Sequence, residues 1–286
     1  MMQPLNRFLL LQPAWLPTVC IIPLLYALGW LAAVPLTLFG LPDHQVSLIG
    51  TVLSFVLFLL VIPRWAALRW SAERPWTALG IRNAGTDDRP APVTALLRGI
   101  LIATGLLSLI TSTVLIGGWG TWVGQLEAIP MVNALLLCLG VGCAEELIFR
   151  GWLWTELNRI IGSRYGAVAQ ASIFSLVHTR FNIGLAAMGG LLAGLFLLGM
   201  VLARQRQSDH GSLWGCVGLH GGLVAGWFLL QNGLLEHSSQ SPTWLIGPGG
   251  NHANPLGGAV GIGVLAMLLW RGWRFSQRSA HLLKRP

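Results

Sequence analysis

Gly-Cys-Ala-Glu-Glu-Leu-Ile-Phe-Arg-Gly-Trp-Leu-Trp, residues 142–154, closes a long apolar run that begins at Met131. Glu145 and Glu146 lie deep in that run, with no acid or base before them back to Glu127. A carboxylate in hydrocarbon is costly unless paired or protonated, so ionisable residues in such a setting point to function. On a helix, Glu146 and Arg150 are i,i+4 neighbours and can pair. Glu145 points about 100° away from Glu146, because the helix turns once per 3.6 residues. One carboxylate is then held by the arginine while the other faces a different partner.

Composition sets the frame for this stretch. Of 286 residues, 54% are hydrophobic and only 10% charged, and mean hydropathy is +0.66. Ordinary soluble domains carry about 25% charged residues, and several runs here reach the roughly 20 residues that span a bilayer. The sequence predicts an all-α, polytopic membrane protein. A net charge of +8 would suggest nucleic acid in a soluble chain. Here the arginines lie at the ends of apolar runs, which is the pattern of membrane topology. The expected surroundings are the lipid bilayer, with no nucleic acid. Cys20, Cys138, Cys143 and Cys216 lie in or beside apolar runs without a CxxC, and read as small core residues rather than zinc thiolates or disulfides. Arg7 precedes an apolar run too long for a signal-peptide core, with no small-x-small cleavage site, which predicts a retained first span.

Eight transmembrane helices are expected, at 15–38, 46–62, 93–116, 131–157, 166–178, 183–203, 213–230 and 257–270. Residues 1–92 form an N-terminal unit of two spans and a basic segment, 63–92, whose Trp65, Trp70 and Trp76 suit the headgroup level. Residues 93–286 form the core membrane domain, with loops at 117–130 and 231–256. With the N-terminus inside, seventeen of the eighteen lysines and arginines fall on the inner side, and only Arg180 on the outer. That asymmetry predicts an inner-membrane, multi-pass protein with both termini cytoplasmic. Small-xxx-small pairs such as Gly222 and Gly226 are the spacing of ordinary helix packing in lipid.

Three polar sites are buried in apolar helices: Glu145, Glu146 and Arg150; His178, ending Phe174-Ser175-Leu176-Val177-His178; and His220, in Gly218-Leu219-His220-Gly221-Gly222. Intramembrane acids and histidines face a bundle interior or a water-filled cavity. Glu145, His178 and His220 suit a divalent metal such as zinc with one open position. The same side chains equally suit a metal-free site in which Glu145 activates a water as general base and histidines stabilise the oxyanion. Both routes lead to hydrolysis of an acyl bond.

Glu-Glu-x-x-x-Arg, then Phe-x-x-x-His, then a glycine-flanked His late in a polytopic chain resembles the CPBP intramembrane proteases, also called the Abi or CAAX-protease and bacteriocin-processing family. The resemblance implies an eight-helix fold and endopeptidase activity on a membrane-embedded peptide, such as a prenylated tail. It implies that Glu145 activates water, Glu146 supports it, Arg150 partners Glu146, His178 binds the same water or metal, and His220 stabilises the oxyanion. The family's third motif reads His-x-x-x-Asn or Asp, whereas Val224 stands four residues after His220. Valine donates no hydrogen bond, so Asn182, four residues after His178, is the candidate replacement. Gln231 lies eleven residues beyond His220, about 16 Å along a helix axis, and is set aside.

Cleavage is expected near the cytoplasmic half of the membrane. Two other classes stay open at this stage. A non-catalytic scaffold or immunity protein is suggested by Val224. A proton-coupled transporter is suggested by buried Glu and His, but no inverted repeat supports it. The sequence carries no sign of oligomeric state.

Overall fold

The computed structural model describes residues 4–83, 89–238, 240–247 and 254–282. Helix α1 (Pro4–Leu9) leads into α2 (Trp15–Ala33), which a 3-10 turn extends to Phe39, where Gly40 takes a positive φ of 78° and ends it. α3 (Asp43–Trp70) starts on an acid and finishes on Arg69, the charge order that suits the helix dipole. The short α4 (Pro75–Ala78) and then α5 (Pro92–Ile116) each begin on proline, whose missing N–H costs nothing in a first turn. One continuous helix, Ala128–Ile161, contains α6 (Ala128–Leu136), α7 (Gly142–Glu146) and α8 (Trp154–Ile161), joined by π-helical stretches at Leu137–Val141 and Leu147–Leu153. Then come α9 (Ser163–Leu176), α10 (Leu185–Ser208), α11 (Trp214–Leu229), α12 (Thr243–Ile246) and α13 (Ala259–Leu282).

The described residues do not confirm the expected count of eight full spans. Among the described residues, five helices are long and apolar enough to cross a membrane: Trp15–Phe39, Asp43–Trp70, Pro92–Ile116, Ala128–Ile161 and Leu185–Ser208. The predicted spans at 166–178 and 213–230 correspond to α9 and α11, with 14 and 16 residues. At 1.5 Å per residue these fall short of a bilayer core of about 30 Å. The apolar part of α13 is short as well, Ala259–Arg271. The five long helices turn apolar side chains outward, with Leu31, Leu60 and Leu101 each at least 68% exposed. Large exposed apolar surface of this kind marks a lipid-facing belt.

Two buried clusters organise the interior. One joins α5, α10 and α11 around Phe174, Leu198 and Leu219. The other joins α1 to α3 to the site helix, with Trp65 and Phe58 edge-on to Trp152. The segments 1–92 and 93–286 thus share a core. A small antiparallel pair, β1 (Gly120–Trp122) with β2 (Leu235–His237), closes one end, in the register Thr121 opposite Glu236.

The two ends differ in charge. At one end, Arg64 donates to Asn6, Arg159 to the Trp70 carbonyl, Arg89 to the His210 carbonyl and Arg206 to the Ala78 carbonyl. The opposite end holds β1, β2 and the segments at 178–184 and 254–258, and Arg180 is the only lysine or arginine in those four. Lys284 and Arg285, two of the seventeen cations expected on the inner side, lie outside the described residues.

Candidate active site

Glu145 and Glu146 occupy α7, between the two π-helical stretches. Such wide turns within a long helix recur at functional sites. Glu146 is fully buried, while the Glu145 side chain keeps 27% of its surface. Arg150 donates from Nη1 to Glu146 Oε1 at 2.8 Å, as the spacing of four predicts. Its guanidinium lies 4.1 Å from the centre of the Phe174 ring. The same carboxylate oxygen faces His220 Nδ1 at 2.7 Å. Glu146 therefore ties Arg150 to His220 across two helices.

Glycines make this reach possible. A Cβ on Gly221 would run into the Cys138 carbonyl, and one on Gly218 into the Leu96 carbonyl. A Cβ on Gly142 would stand only 3.1 Å from the Gly221 backbone. α11 can thus lie against both the site helix and α5, as small residues allow in lipid. The glycines that flank His220 set its depth rather than its chemistry.

Hydrogen-bond partners fix the proton positions on both imidazoles. His220 Nδ1 faces a carboxylate, so it donates. His178 Nδ1 lies 2.7 Å from the Phe174 carbonyl, which only accepts, so it donates too. The Nε2 atoms are left to turn toward Glu145 Oε2, at 3.6 Å from His178 and 3.8 Å from His220. In the neutral rings those nitrogens carry lone pairs. Three acceptors thus converge on one space, and Glu145 Oε2 is buried without a hydrogen-bond partner among the described residues. A hydrogen donor such as water satisfies that arrangement.

Zinc ligands stand about 2.0–2.2 Å from the ion. Among the described residues, no group of three or more His, Cys, Asp and Glu side chains is placed to hold a metal ion. Glu145, His178 and His220, which suit either a zinc set or a metal-free site, meet as a cluster around one carboxylate oxygen.

A cavity of about 350 Å³ opens over this cluster, lined by Glu145, His178, His220, Val224, Gln231 and Asn254, with Arg180 at its edge. Asn182 is not among its walls. It is exposed, in the short turn Phe181–Ile183. The spacing of four from His178 assumed a continuing helix, and the chain leaves the helix at Leu176. Gln231, set aside for its distance from His220, does line the cavity, which is elongated along α11 and its π-helical extension Leu230–Leu234. Arg180 and Asn254 also join the wall. Their loop positions carried no periodic signal, and only their polarity beside apolar helices hinted at them.

Glu156 is another buried acid that the pattern did not single out. It accepts from Trp65 Nε1 at 3.0 Å, Trp70 Nε1 at 2.6 Å and Arg69 Nε at 2.8 Å. It is 2% exposed and binds α8 to α3, away from the cavity.

Residues 2–74 match a domain of unknown function, DUF8676. No curated protein and no solved structure matches the chain. Residues 127–226, which contain Glu145, Glu146, Arg150, His178 and His220 but stop short of Gln231, match the model of the type II CAAX prenyl endopeptidases described as Rce1-like, and that segment carries the chain's similarity to the CPBP, or CAAX-protease, family.

Proposed function

We propose that this protein is an intramembrane endopeptidase that hydrolyses a peptide bond in a membrane-anchored peptide, with water activated by Glu145. The observation that carries this reading is the convergence of His178 Nε2 and His220 Nε2 on Glu145 Oε2, at 3.6 and 3.8 Å, in an accessible cavity. A water held there loses a proton to Glu145 as its oxygen attacks the scissile carbonyl. In its protonated form His220, backed by the Glu146 carboxylate, donates from Nε2 to the developing oxyanion and keeps that proton throughout. The proton held by Glu145 then passes to the leaving amine, so water and amide become acid and amine. Arg150 holds Glu146 in place, and His178 orients the water.

One observation favours a second reading. Val224 lines the cavity where the family pattern has Asn or Asp, and neither Asn182 nor any neighbour one turn from His220 replaces that donor. A non-catalytic family member, acting as a scaffold or immunity protein, would tolerate this. Both termini are placed on the cytoplasmic side in our reading, from the asymmetry of the arginines.

The test is reconstitution with a library of membrane-anchored peptides and mass analysis of the products, with and without chelator. General-base catalysis contributes about 10²–10⁴-fold, and Glu145→Gln is expected to lose a factor in that range. Chelator-insensitive cleavage that needs Glu145 and His178 supports the proposal. Chelator-sensitive cleavage with bound zinc replaces it by a metal mechanism. Folded protein that cleaves nothing leaves the scaffold.

A further inference from the structure

The cavity has a direction relative to the charge asymmetry. Between Glu145 and the arginine-rich end the bundle is closed. Glu146 and Arg150 have no exposed surface, and Arg206, itself 7% exposed, donates to the Arg150 carbonyl and to Thr155 Oγ1. Toward the opposite end, the walls are Arg180, Gln231 and Asn254, all half-buried and in segments of the arginine-poor end. The helix that carries His220 reaches that end through Gln231. His220 to Gln231 covers about 16 Å of axis at 1.5 Å per residue, the length of roughly five extended residues at about 3.3 Å each. Amides line this path, and Arg180 is the one lysine or arginine on it.

We propose that the site is filled from the arginine-poor face, which the positive-inside rule assigns to the outside of the membrane. The substrate is an extended peptide presented at the outer leaflet, with a carboxylate, from an acidic side chain or a free C-terminus, held at Arg180. This rests on the endopeptidase reading and specifies its substrate. It reverses the expectation of cleavage near the cytoplasmic half.

The test reads sidedness without requiring cleavage. Single cysteines are introduced as Val224→Cys in the cavity, Asn182→Cys on the arginine-poor end and Ser208→Cys on the arginine-rich end. Gln231→Cys repeats the cavity measurement should Val224→Cys not fold. Intact and permeabilised cells are treated with a small, membrane-impermeant thiosulfonate, in anionic and cationic forms, and the unsubstituted protein supplies the background from its own cysteines. Val224→Cys and Asn182→Cys are expected to react in intact cells, and Ser208→Cys only after permeabilisation. Adding Arg180→Gln is expected to lower the anionic-to-cationic labelling ratio at Val224→Cys about tenfold, the lower range of electrostatic focusing. Labelling of both cavity cysteines only after permeabilisation, or at neither face, overturns the proposal. So does Asn182→Cys that reacts only after permeabilisation. An unchanged ratio overturns the role of Arg180. Outward labelling of a protein that cleaves no peptide removes the endopeptidase reading and leaves the accessible face in place.

Discussion

Val224 is the residue at which sequence pattern and cavity meet most directly. It lines the same space as Glu145 and His220, one turn beyond His220, and offers the reaction only methyl groups. Losing one oxyanion donor in a well-studied hydrolase costs about 2.7–4 kcal/mol. Val224→Asn, which restores a donor at that position, is expected to raise kcat about tenfold or more while leaving KM close to its original value, as read from steady-state cleavage in liposomes. An unchanged kcat would place the oxyanion elsewhere in the cavity. The acids, Arg150 and both histidines were legible in the sequence because ionisable side chains are rare in apolar helices. Asn182 does not share the His178 face, because the helical spacing that would put it there stops at Leu176. Gln231 joins the site because the cavity runs along α11, past Leu223, Val224 and Trp227, rather than closing at His220.

At the level of elements, Glu156 holds α8 against α3 through Trp65, Trp70 and Arg69. Removing one partner of a buried pair costs about 3–5 kcal/mol, because the other charge is left uncompensated. Glu156→Ala is expected to lower the thermal midpoint in detergent strongly, and the double change with Arg69→Met to recover a large part of the loss. A double variant no better than Glu156→Ala would show that the indole contacts dominate. The β1–β2 pair carries a pH dependence. Burial holds the His237 imidazole below its ordinary value of 6.5, with the ring 5.6 Å from that of Trp227. A base with a depressed folded value has its full stability above 6.5, and loses stability as pH falls from there toward the folded value. Hydrogen exchange at Leu235 and His237 is expected to quicken below pH 6.5, beyond the intrinsic trend, and His237→Phe to remove that excess. Element ends were the least legible part of the chain. Apolar runs count residues, but α9 and α11 stop where Thr179-Arg180 and Gln231-Asn232-Gly233 turn the chain.

For the whole molecule, two gradients cross at Glu145. The arginines gather at one end, where buried pairs and carbonyl contacts close the bundle, and the cavity extends to the other. The first gradient could be read from composition alone. The second depended on where loops 178–184 and 254–258 fold, and those loops have no periodicity to read. The polytopic helical class was legible for the same reason as the acids, since long apolar runs leave helices as the form that satisfies every backbone group in lipid. The claim that joins both gradients is that water, activated by Glu145, attacks a peptide carbonyl in this cavity. It is tested most directly by a single turnover in heavy-oxygen water, with product and protein both analysed by mass. The account predicts one heavy oxygen in the new C-terminal carboxylate, none in Glu145, and turnover by Glu145→Gln slower by about 10²–10⁴-fold. A label in Glu145 itself, or cleavage by Glu145→Gln at the rate of the unsubstituted protein, would contradict it.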